Sequence, residues 1–312
     1  MKQYFLMLTA LLVMILPEKA RADGYVYKTI SGITYIIYYT GEHDYAVGTR
    51  AVVVSCSTGG VANILSTVTG TLEWTYNNET HTRNITGTVS EIASDAFRYA
   101  EITAVNFPET ISHINRHVFH SCDCLTSITI PAWINRISVQ AFYCCDNLKT
   151  VYLNSRNLEE PYQGKHTYDP YDDAIWAWSP IELVVIGESV ESIGDHVFDL
   201  GDYARIKRII SKAITPPVLH NYSFFPIAGV SLSVPVQSLQ AYKNAPIWKN
   251  FFISATGDVD GNGKVSIDDV TAQIDMLLSG DTTGYDGADV DGDGNVTIAD
   301  VTALIDLLLT SN

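Results

Sequence analysis

The sequence predicts a β-rich solenoid of stacked coils, capped at its amino end by further strands and followed by a small all-α module. Two observations carry this expectation: an apolar pattern recurs at a nearly constant interval between residues 92 and 213, and a polar segment at 258–269 is repeated at 289–300. Repeating units of this kind bury their apolar side only by stacking on their neighbours. We therefore expect one continuous solenoid core and a separate two-helix domain after it.

Aromatic and apolar residues define the repeat, because they return at a nearly constant spacing. Phe97, Phe119 and Phe142 are separated by 22 and then 23 positions, and the two later ones are followed by a Cys, a Leu and an alternating apolar stretch. Alternation over four positions is typical of a short strand with one buried face. We predict such strands at 127–130 and 150–153, with one short strand in each of about five coils.

An insertion interrupts the repeat near residues 155–173. A shift of 33 positions maps the third coil onto the fourth, which places Ile175 on Phe142 and Trp178 on Cys145. Since the register of Cys145 faces inward, we expect Trp178 in the core. The segment from about residue 158 to residue 179, which overlaps this insertion, carries aromatic side chains beside carboxylates, a combination suited to stacking on sugars or binding a peptide. We expect a ligand surface there, with four candidate residues: Tyr162, Tyr168, Tyr171 and Trp176.

One coil shows the full pattern F-x2-C-x2-L-x2-I-x-I-P, which consists of Phe119, Cys122, Leu125, Ile128, Ile130 and Pro131. This pattern resembles the BspA-like leucine-rich repeats of bacterial and protist surface proteins. The resemblance implies a leucine-rich repeat solenoid at 91–213, a carboxyl-terminal cap at 214–256, and adhesion to host matrix proteins or other cells. Residues 23–90 are rich in Tyr, Val, Ile and Thr, which favours strands, and we expect them to cap the first coil.

Five cysteines are present: Cys56, Cys122, Cys124, Cys144 and Cys145. Their odd number, and the spacing of Cys122 and Cys145 by one repeat, fit the solenoid better than a disulfide framework. We expect both as small apolar core residues in adjacent coils. A disulfide between neighbouring coils stays open, because the sequence does not fix the Cβ geometry.

Three histidines, His113, His117 and His120, lie close to Cys122 and Cys124 in the sequence. This grouping suggests a zinc site, since histidine and cysteine are the ligands that zinc prefers. The register of the repeat, however, points Cys122 inward and the histidines mainly toward turns and the outer surface. We therefore expect a surface cluster in preference to a metal site.

A twelve-residue segment near the carboxyl end is duplicated. The first copy contains Asp258, Asp260, Asn262, Gly263, Ser266 and Asp269, and the second contains Asp289, Asp291, Asp293, Gly294, Thr297 and Asp300. The side chains supply oxygen ligands at loop positions 1, 3, 5, 9 and 12, and the glycine takes the sharp turn at position 6. Lys264 and Asn295 offer backbone carbonyls at position 7. Hard divalent cations require oxygen ligands, so the sequence predicts two calcium ions.

One amphipathic helix is expected after each loop. Val270, Ile274, Leu277 and Leu278 share a helical face, and Val301, Ile305, Leu308 and Leu309 occupy the matching places after the second loop. We expect the two stripes to be buried against each other. The residues before Asp258 show no helical period, so each loop has only an exiting helix.

The loops and helices at 257–312 resemble a type I dockerin, the module that attaches an enzyme or binding protein to a cohesin partner. The resemblance implies calcium-dependent folding, a cohesin-like partner and a place in a polysaccharide-degrading assembly. The Ser/Thr pair of the usual partner contact is replaced by Ile267 with Asp268 and by Ile298 with Ala299. The partner itself therefore does not carry over, and a structural cap or dimerisation element is an alternative role of the tail.

Residues 1–22 are typical of a secretory signal. Lys2 precedes an apolar run at 4–16, and Ala20 and Ala22 form a cleavage site. The run is too short to span a bilayer as a stable helix, and no later stretch is long enough. We expect a bacterial protein that is secreted or held at the cell surface, without a transmembrane segment after signal removal.

Charge and missing motifs exclude several classes of function. The formal net charge is −16, and residues 257–312 hold twelve Asp and one Lys. No basic stripe occurs in the sequence, so nucleic acid is not an expected partner. The sequence also has no nucleophile elbow, zinc-protease motif or phosphate loop.

The preferred hypothesis is a noncatalytic binding protein. Its solenoid would bind a host matrix protein or a glycan, and its tail would bind a cohesin-like protein. A glycoside hydrolase or other carbohydrate-active subunit is the alternative, because a pair of catalytic carboxylates leaves no local sequence motif.

Overall fold

A computed structural model describes residues 24–40, 47–57, 59–76, 79–159, 174–200, 206–220, 222–225, 227–280 and 287–310. Over these residues the protein is a strand-rich repeat fold with few helices, as the sequence predicts. The expected signal segment 1–22 lies outside the described residues.

Six strands form the amino-terminal part: β1 (Gly24–Ile30), β2 (Ile33–Thr40), β3 (Val47–Cys56), β4 (Gly60–Asn63), β5 (Thr67–Tyr76) and β6 (Glu79–Ile92). Five of them make one sheet in the order β1-β2-β3-β6-β5, in which only β3 and β6 are parallel neighbours. Ile33, Tyr35 and Ile37 alternate along β2 and are buried in the same apolar core as Phe97. The amino-terminal sheet and the solenoid thus share one continuous apolar core.

The strands that follow are short: β7 (Ile102–Asn106), β8 (His113–Ile114), β9 (Ser127–Ile130), β10 (Arg136–Ile137), β11 (Thr150–Leu153), β12 (Asn157–Leu158), β13 (Leu183–Ile186), β14 (Ser192–Ile193), β15 (Phe198–Asp199), β16 (Arg208–Ser211), β17 (Val218–Leu219), β18 (Phe224–Phe225), β19 (Ser231–Val234) and β20 (Phe252–Ala255). Six of them, β9, β11, β13, β16, β19 and β20, lie side by side in one parallel sheet, with one strand per coil. Smaller parallel groups, β12-β14-β17, β8-β10, β15-β18 and β4-β7, lie at other positions of the coils.

The six-stranded sheet agrees with the predicted repeat. β9 and β11 occupy the two predicted strand positions. Val151 pairs with Val184, so the shift that maps the third coil onto the fourth holds within the sheet. β19 and β20 fall inside the expected cap at 214–256, and this closing segment therefore extends the sheet.

A column of aromatic rings runs through the solenoid core. It consists of Phe97, Phe119, Phe142, Trp176, Phe198 and Phe224, with ring centroids of successive members 4.7 to 5.8 Å apart. Each ring covers the face of the next, so every coil completes the apolar environment of its neighbours.

Trp178 is not in the core, contrary to the expectation. It is 41% exposed, whereas Trp176 takes the place of the stacked ring and is 1% exposed. The Ser179 hydroxyl donates to the Phe142 carbonyl over 2.7 Å, as the Cys145 thiol does to the carbonyl one coil earlier over 2.9 Å. Ser179, and not Trp178, therefore occupies the position that corresponds to Cys145. The third coil has two residues between Cys145 and Leu148, whereas the fourth has only one between Ser179 and Ile181.

Cys122 and Cys145 are buried in adjacent coils, as expected, and none of the five cysteines, which all lie in the described ranges, forms a disulfide. Their thiols donate to the carbonyls of Phe97 and Phe119. Burial raises the pKa of both thiols, and the pKa of Cys145 reaches about 12. These groups therefore stay protonated and act as small core residues.

Among the described residues, three α-helices follow the repeat: α1 (Leu239–Asn244), α2 (Ile267–Ser279) and α3 (Ile298–Thr310). A capping box of Ser266 and Asp269 begins α2, and Gly280 ends it in the left-handed conformation. α2 and α3 pack around a small core of Val259, Val270, Met276, Ala288, Val301 and Leu304. No helix in the described ranges is long and apolar enough to cross a membrane.

The predicted helical stripes are partly wrong. Val270 and Val301 are buried as expected, but four other members are exposed: Ile274, Leu278, Ile305 and Leu309. The buried face of α2 is rotated about a quarter of a turn around the helix axis from the predicted face, since each residue advances by about 100°. The rotation brings Gln273 to the buried side, next to the residues that precede the second loop. The Gln273 side-chain amide donates to the Ala288 carbonyl over 2.5 Å.

Candidate calcium-binding and docking site

The first duplicated loop gathers three carboxylates. Oxygen atoms of Asp258, Asp260 and Asp269 lie within 4.8 Å of one another. The amide of Gly263 donates to Oδ2 of Asp258 over 2.9 Å, whereas Oδ1 of Asp258 is buried without a hydrogen-bond partner. A buried charged oxygen without a partner is unfavourable, so this atom is suited to accept a cation.

Asp269, at loop position 12, ties the loop to α2. Its Oδ1 accepts the amides of Val259 and Asp260 over 2.8 and 3.1 Å, and its Oδ2 accepts the amide of Ser266 over 2.8 Å. Each carboxylate oxygen has two lone pairs, so Oδ1 is fully used by its two amides, whereas Oδ2 has one lone pair beyond the Ser266 amide, with the Ser266 hydroxyl 3.4 Å away. The carboxylate therefore fixes the loop and faces its centre at the same time.

The second loop also gathers three carboxylates, at partly different loop positions. Oxygen atoms of Asp289, Asp291 and Asp293 lie within 4.8 Å of one another. Asp300 accepts the amides of the second, third and ninth loop residues over 2.8 to 3.2 Å. The hydrogen bonds of the position 12 carboxylate are thus duplicated, whereas the grouped carboxylates lie at positions 1, 3 and 12 in the first loop and at positions 1, 3 and 5 in the second.

The other predicted ligands are Asn262, Lys264, Ser266, Asn295 and Thr297. At position 5, the side chains of Asn262 and Asp293 accept the backbone amides of Lys264 and Asn295 at position 7, over 2.9 and 2.7 Å. Position 9 hydroxyls accept the amides of position 11 over 3.2 and 3.1 Å. These local bonds hold each loop in the turn that brings its oxygen atoms together.

Electrostatics in both loops favour a bound cation. Burial raises the pKa of Asp258, Asp289 and Asp291 above the ordinary value for aspartate. The ionised carboxylates are therefore destabilised by their surroundings, and a divalent ion would offset this effect. Neither loop contains His or Cys, so the side-chain atoms that could bind a metal ion are oxygens. This set of ligands fits calcium and does not fit metals that prefer nitrogen or sulfur.

An apolar surface on the two helices was missed by the sequence prediction. It consists of Ile267, Ile274 and Leu278 on α2 and of Ile298, Ile305 and Leu309 on α3, which are 40% to 81% exposed. We call these six residues the paired apolar surface. Each residue of the first set recurs at the matching place of the second, so the duplication could have indicated a shared surface role. The three residues of each helix share one helical face, and exposed apolar side chains on one face are typical of protein contacts.

The histidines form a cluster with a residue that the sequence did not indicate. Ligand atoms of His117, His120 and Asp95 lie within 4.8 Å of one another, whereas His113 bonds the Ser138 hydroxyl over 2.8 Å. Burial lowers the pKa of all three histidines.

The guanidinium group of Arg98 makes binding of a cation to this cluster unfavourable. Arg98 pairs with Asp95 over 3.2 Å and so already offsets its charge. His117 in turn bonds the Gln140 side chain over 2.8 Å. The geometry thus favours a polar surface cluster over a zinc site.

The expected ligand surface of the insertion needs one correction. Trp176 stacks between Phe142 and Phe198 in the core and has no exposed ring to offer a ligand. The remaining candidates, Tyr162, Tyr168 and Tyr171, lie outside the described residues.

Three solved bacterial structures are similar to the chain. A leucine-rich cell surface protein from Faecalibacterium prausnitzii is 14% identical, with 75% of this chain and 55% of that one covered and a TM-score of 0.30. A leucine-rich repeat protein from Bacteroides ovatus is 16% identical, with 76% and 69% covered and a TM-score of 0.33. The pneumococcal vaccine antigen PcpA is 14% identical, with 74% and 46% covered and a TM-score of 0.21. The chain thus spans about half the length of the first and third proteins.

Family models match two segments of the chain. No curated protein matches it. The BspA type leucine-rich repeat region matches residues 72–164 in six copies, and the dockerin type I domain matches residues 256–309. Dockerin type I domains bind calcium and imply a cohesin-type partner, and both families are typically noncatalytic. A segment that matches the BspA type leucine-rich repeat region is therefore followed, in the same chain, by a segment that matches the dockerin type I domain.

Proposed function

We propose that this protein is a secreted, noncatalytic binding protein of the bacterial cell surface. Its solenoid presents a surface for a host matrix protein or a glycan. Its tail, residues 257–312, binds calcium and docks to a cohesin-like protein, in an assembly that degrades polysaccharide. The observation that carries this proposal is the duplicated loop and helix, in which two oxygen-lined loops each open a helix with an exposed apolar face.

Two calcium ions are assigned to the two loops. The first set of ligands is Asp258, Asp260, Asn262, Lys264, Ser266 and Asp269, and the second is Asp289, Asp291, Asp293, Asn295, Thr297 and Asp300. Lys264 and Asn295 take part through their backbone carbonyls. The unpartnered buried oxygen of Asp258 is the structural feature that supports this assignment best.

The paired apolar surface is assigned to the cohesin-like partner. Its residues include Ile267 and Ile298 at loop position 10, where the resemblance places a partner contact. Exposed carboxylates of Asp268, Asp275 and Asp306 lie on the same helices. A fitting partner therefore offers apolar pockets bordered by basic residues.

Replacing Leu278 and Leu309 together by Ser is expected to weaken docking by roughly 100-fold to 10,000-fold, because burying each leucine contributes about 1.5 to 3 kcal/mol and the two losses add. The measurement is biolayer interferometry of the full chain against a panel of purified cohesin modules, with calcium present. Both helices are changed because each carries the same apolar set.

The matched control for this experiment is Val61→Ser, which changes an exposed apolar residue of the amino-terminal strands. It should leave docking unchanged. Binding of the double variant with the affinity of the original chain would contradict the assignment of this surface.

Replacing Tyr168 and Tyr171 by Ala is expected to weaken binding of a matrix protein or glycan about 10-fold, since stacking side chains dominate such contacts. The measurement is an array of host matrix proteins and glycans probed with the full chain. The temperature of the unfolding midpoint should change little. Unaltered binding would contradict a ligand surface in this segment.

A glycan hydrolysis screen on the same protein tests the alternative of a carbohydrate-active enzyme. The proposed function predicts that the protein binds a glycan without hydrolysing it.

A second role of the tail, as a cover of the solenoid, is favoured by contacts of the second loop. The Tyr152 hydroxyl on β11 donates to the Asp293 carbonyl over 3.3 Å, and Arg208 on β16 pairs with Asp289. These contacts involve the loop, whereas the paired apolar surface stays exposed on the helices. Covering the solenoid and docking a partner are therefore compatible.

A further inference from the structure

The two calcium loops have the same ligand pattern but different surroundings. Asp260 and Gly261 in the first loop are exposed, while their counterparts in the second loop, Asp291 and Gly292, are half-buried and buried. The solenoid causes this difference. A Cβ atom on Gly292 would lie 2.9 Å from the side chain of Lys212, so the second loop lies directly against the solenoid surface.

Two solenoid cations meet the second loop. The Arg208 guanidinium pairs with Oδ2 of Asp289, whose side chain is fully buried. The Lys212 ammonium donates to the backbone carbonyl of Asp291 over 2.7 Å. Both cations therefore bond residues at loop positions 1 and 3, where the calcium ligands are expected.

The position 1 carboxylates of the two loops are engaged to different extents. Oδ1 of Asp258 has no partner in the first loop. In the second loop, Oδ1 of Asp289 accepts the amide of Gly292 over 2.8 Å, and Oδ2 accepts both the amide of Gly294 over 3.0 Å and Arg208. The first loop thus offers an open oxygen, while the second has both oxygens in use.

We infer that Arg208 lowers the calcium affinity of the second loop, so that the two loops fill in sequence, the first before the second. A calcium ion in the second loop must share Asp289 with a guanidinium group or displace it. Like charges repel more strongly in a partly buried site, where solvent screening is weak. The inference rests on the proposed calcium function of the tail and adds an order of filling and a solenoid residue that sets it.

The test is a calcium titration of the full chain, followed by nuclear magnetic resonance at the amides of Gly263 and Gly294. Each of these amides donates to the position 1 aspartate of its own loop, so the two sites are observed separately. In the original chain, the midpoint for Gly294 should lie at a calcium concentration about tenfold or more above that for Gly263.

Three variants assign the difference to its cause. Arg208→Gln should tighten the second loop about tenfold and leave the first unchanged. Arg208→Lys retains the charge and should retain most of the difference. Arg136→Gln removes the same type of side chain from an ion pair with Glu159 on the solenoid and should change neither midpoint.

The possible failures are distinguishable. Equal midpoints in the original chain, or a second loop unaffected by Arg208→Gln, would overturn this inference and leave the calcium function intact. Absence of any calcium response at both glycines would overturn the proposed calcium function itself. If Arg208→Gln does not fold, the midpoints of the original chain and of Arg208→Lys still decide the question.

Discussion

Removing calcium is expected to unfold the carboxyl-terminal module while the solenoid stays folded. The module has a small buried core of Val259, Val270, Met276, Ala288, Val301 and Leu304. Each loop also holds three carboxylates whose oxygen atoms lie within 4.8 Å, and these repel one another when no cation is present. A core of this size does not easily offset that repulsion together with the entropy of folding.

The size of the effect follows from the linkage between binding and folding. At a calcium concentration about 100 times the dissociation constant, each bound ion adds about 2.7 kcal/mol to the stability of the folded module. Two ions add about 5 kcal/mol, which for a small module of this kind raises the melting temperature by roughly 20 °C or more.

Far-ultraviolet circular dichroism measures this change directly, because most helical residues of the described chain lie in α2 and α3. A chelator should remove most of the helical signal, and added calcium should restore it together with a higher melting transition. Magnesium at the same concentration is the control, since it demands a more rigid octahedral site and should restore less. A helical signal and transition that do not respond to chelation would contradict the prediction.

Repeat spacing made much of the solenoid predictable. Strands β9 and β11 lie at the predicted positions because an apolar period that must stack on itself allows little freedom in register. The fourth coil was harder. The turn of the fourth coil is offset from that of the third by 34 residues, but its strand is offset by 33. Because the prediction used 33 throughout, it placed Trp178 in the core, whereas Trp176 is the buried ring.

Features that depend on contacts between distant segments could not be read from the sequence. Helical periodicity placed Ile274 and Leu278 on an apolar face but did not tell a buried face from a partner surface. The contact of Arg208 with Asp289 joins two segments far apart in the chain and leaves no local pattern. Asp95 is different: it lies 22 positions before His117, the same spacing as Phe97 and Phe119, so the repeat itself could have indicated this contact.

Replacing Phe142 by Ala is expected to destabilise the solenoid by about 3 to 5 kcal/mol, the range for deleting a buried aromatic side chain. Phe142 is fully buried between the rings of Phe119 and Trp176, at centroid distances of 5.0 and 4.7 Å. Its loss leaves a cavity and removes two stacking contacts at once. Because each coil is stabilised by its neighbours, the damage extends to the coils on both sides.

Urea unfolding followed by tryptophan fluorescence measures this effect, since Trp176 itself belongs to the column of rings. The matched control is Phe252→Ala, the same substitution at an exposed position of β20 in the six-stranded sheet. It should change the unfolding free energy by less than about 1 kcal/mol, because little apolar area is uncovered. Equal effects of the two substitutions would mean that the rings do not form one continuous core, and the solenoid would then lose the physical basis of its repeat.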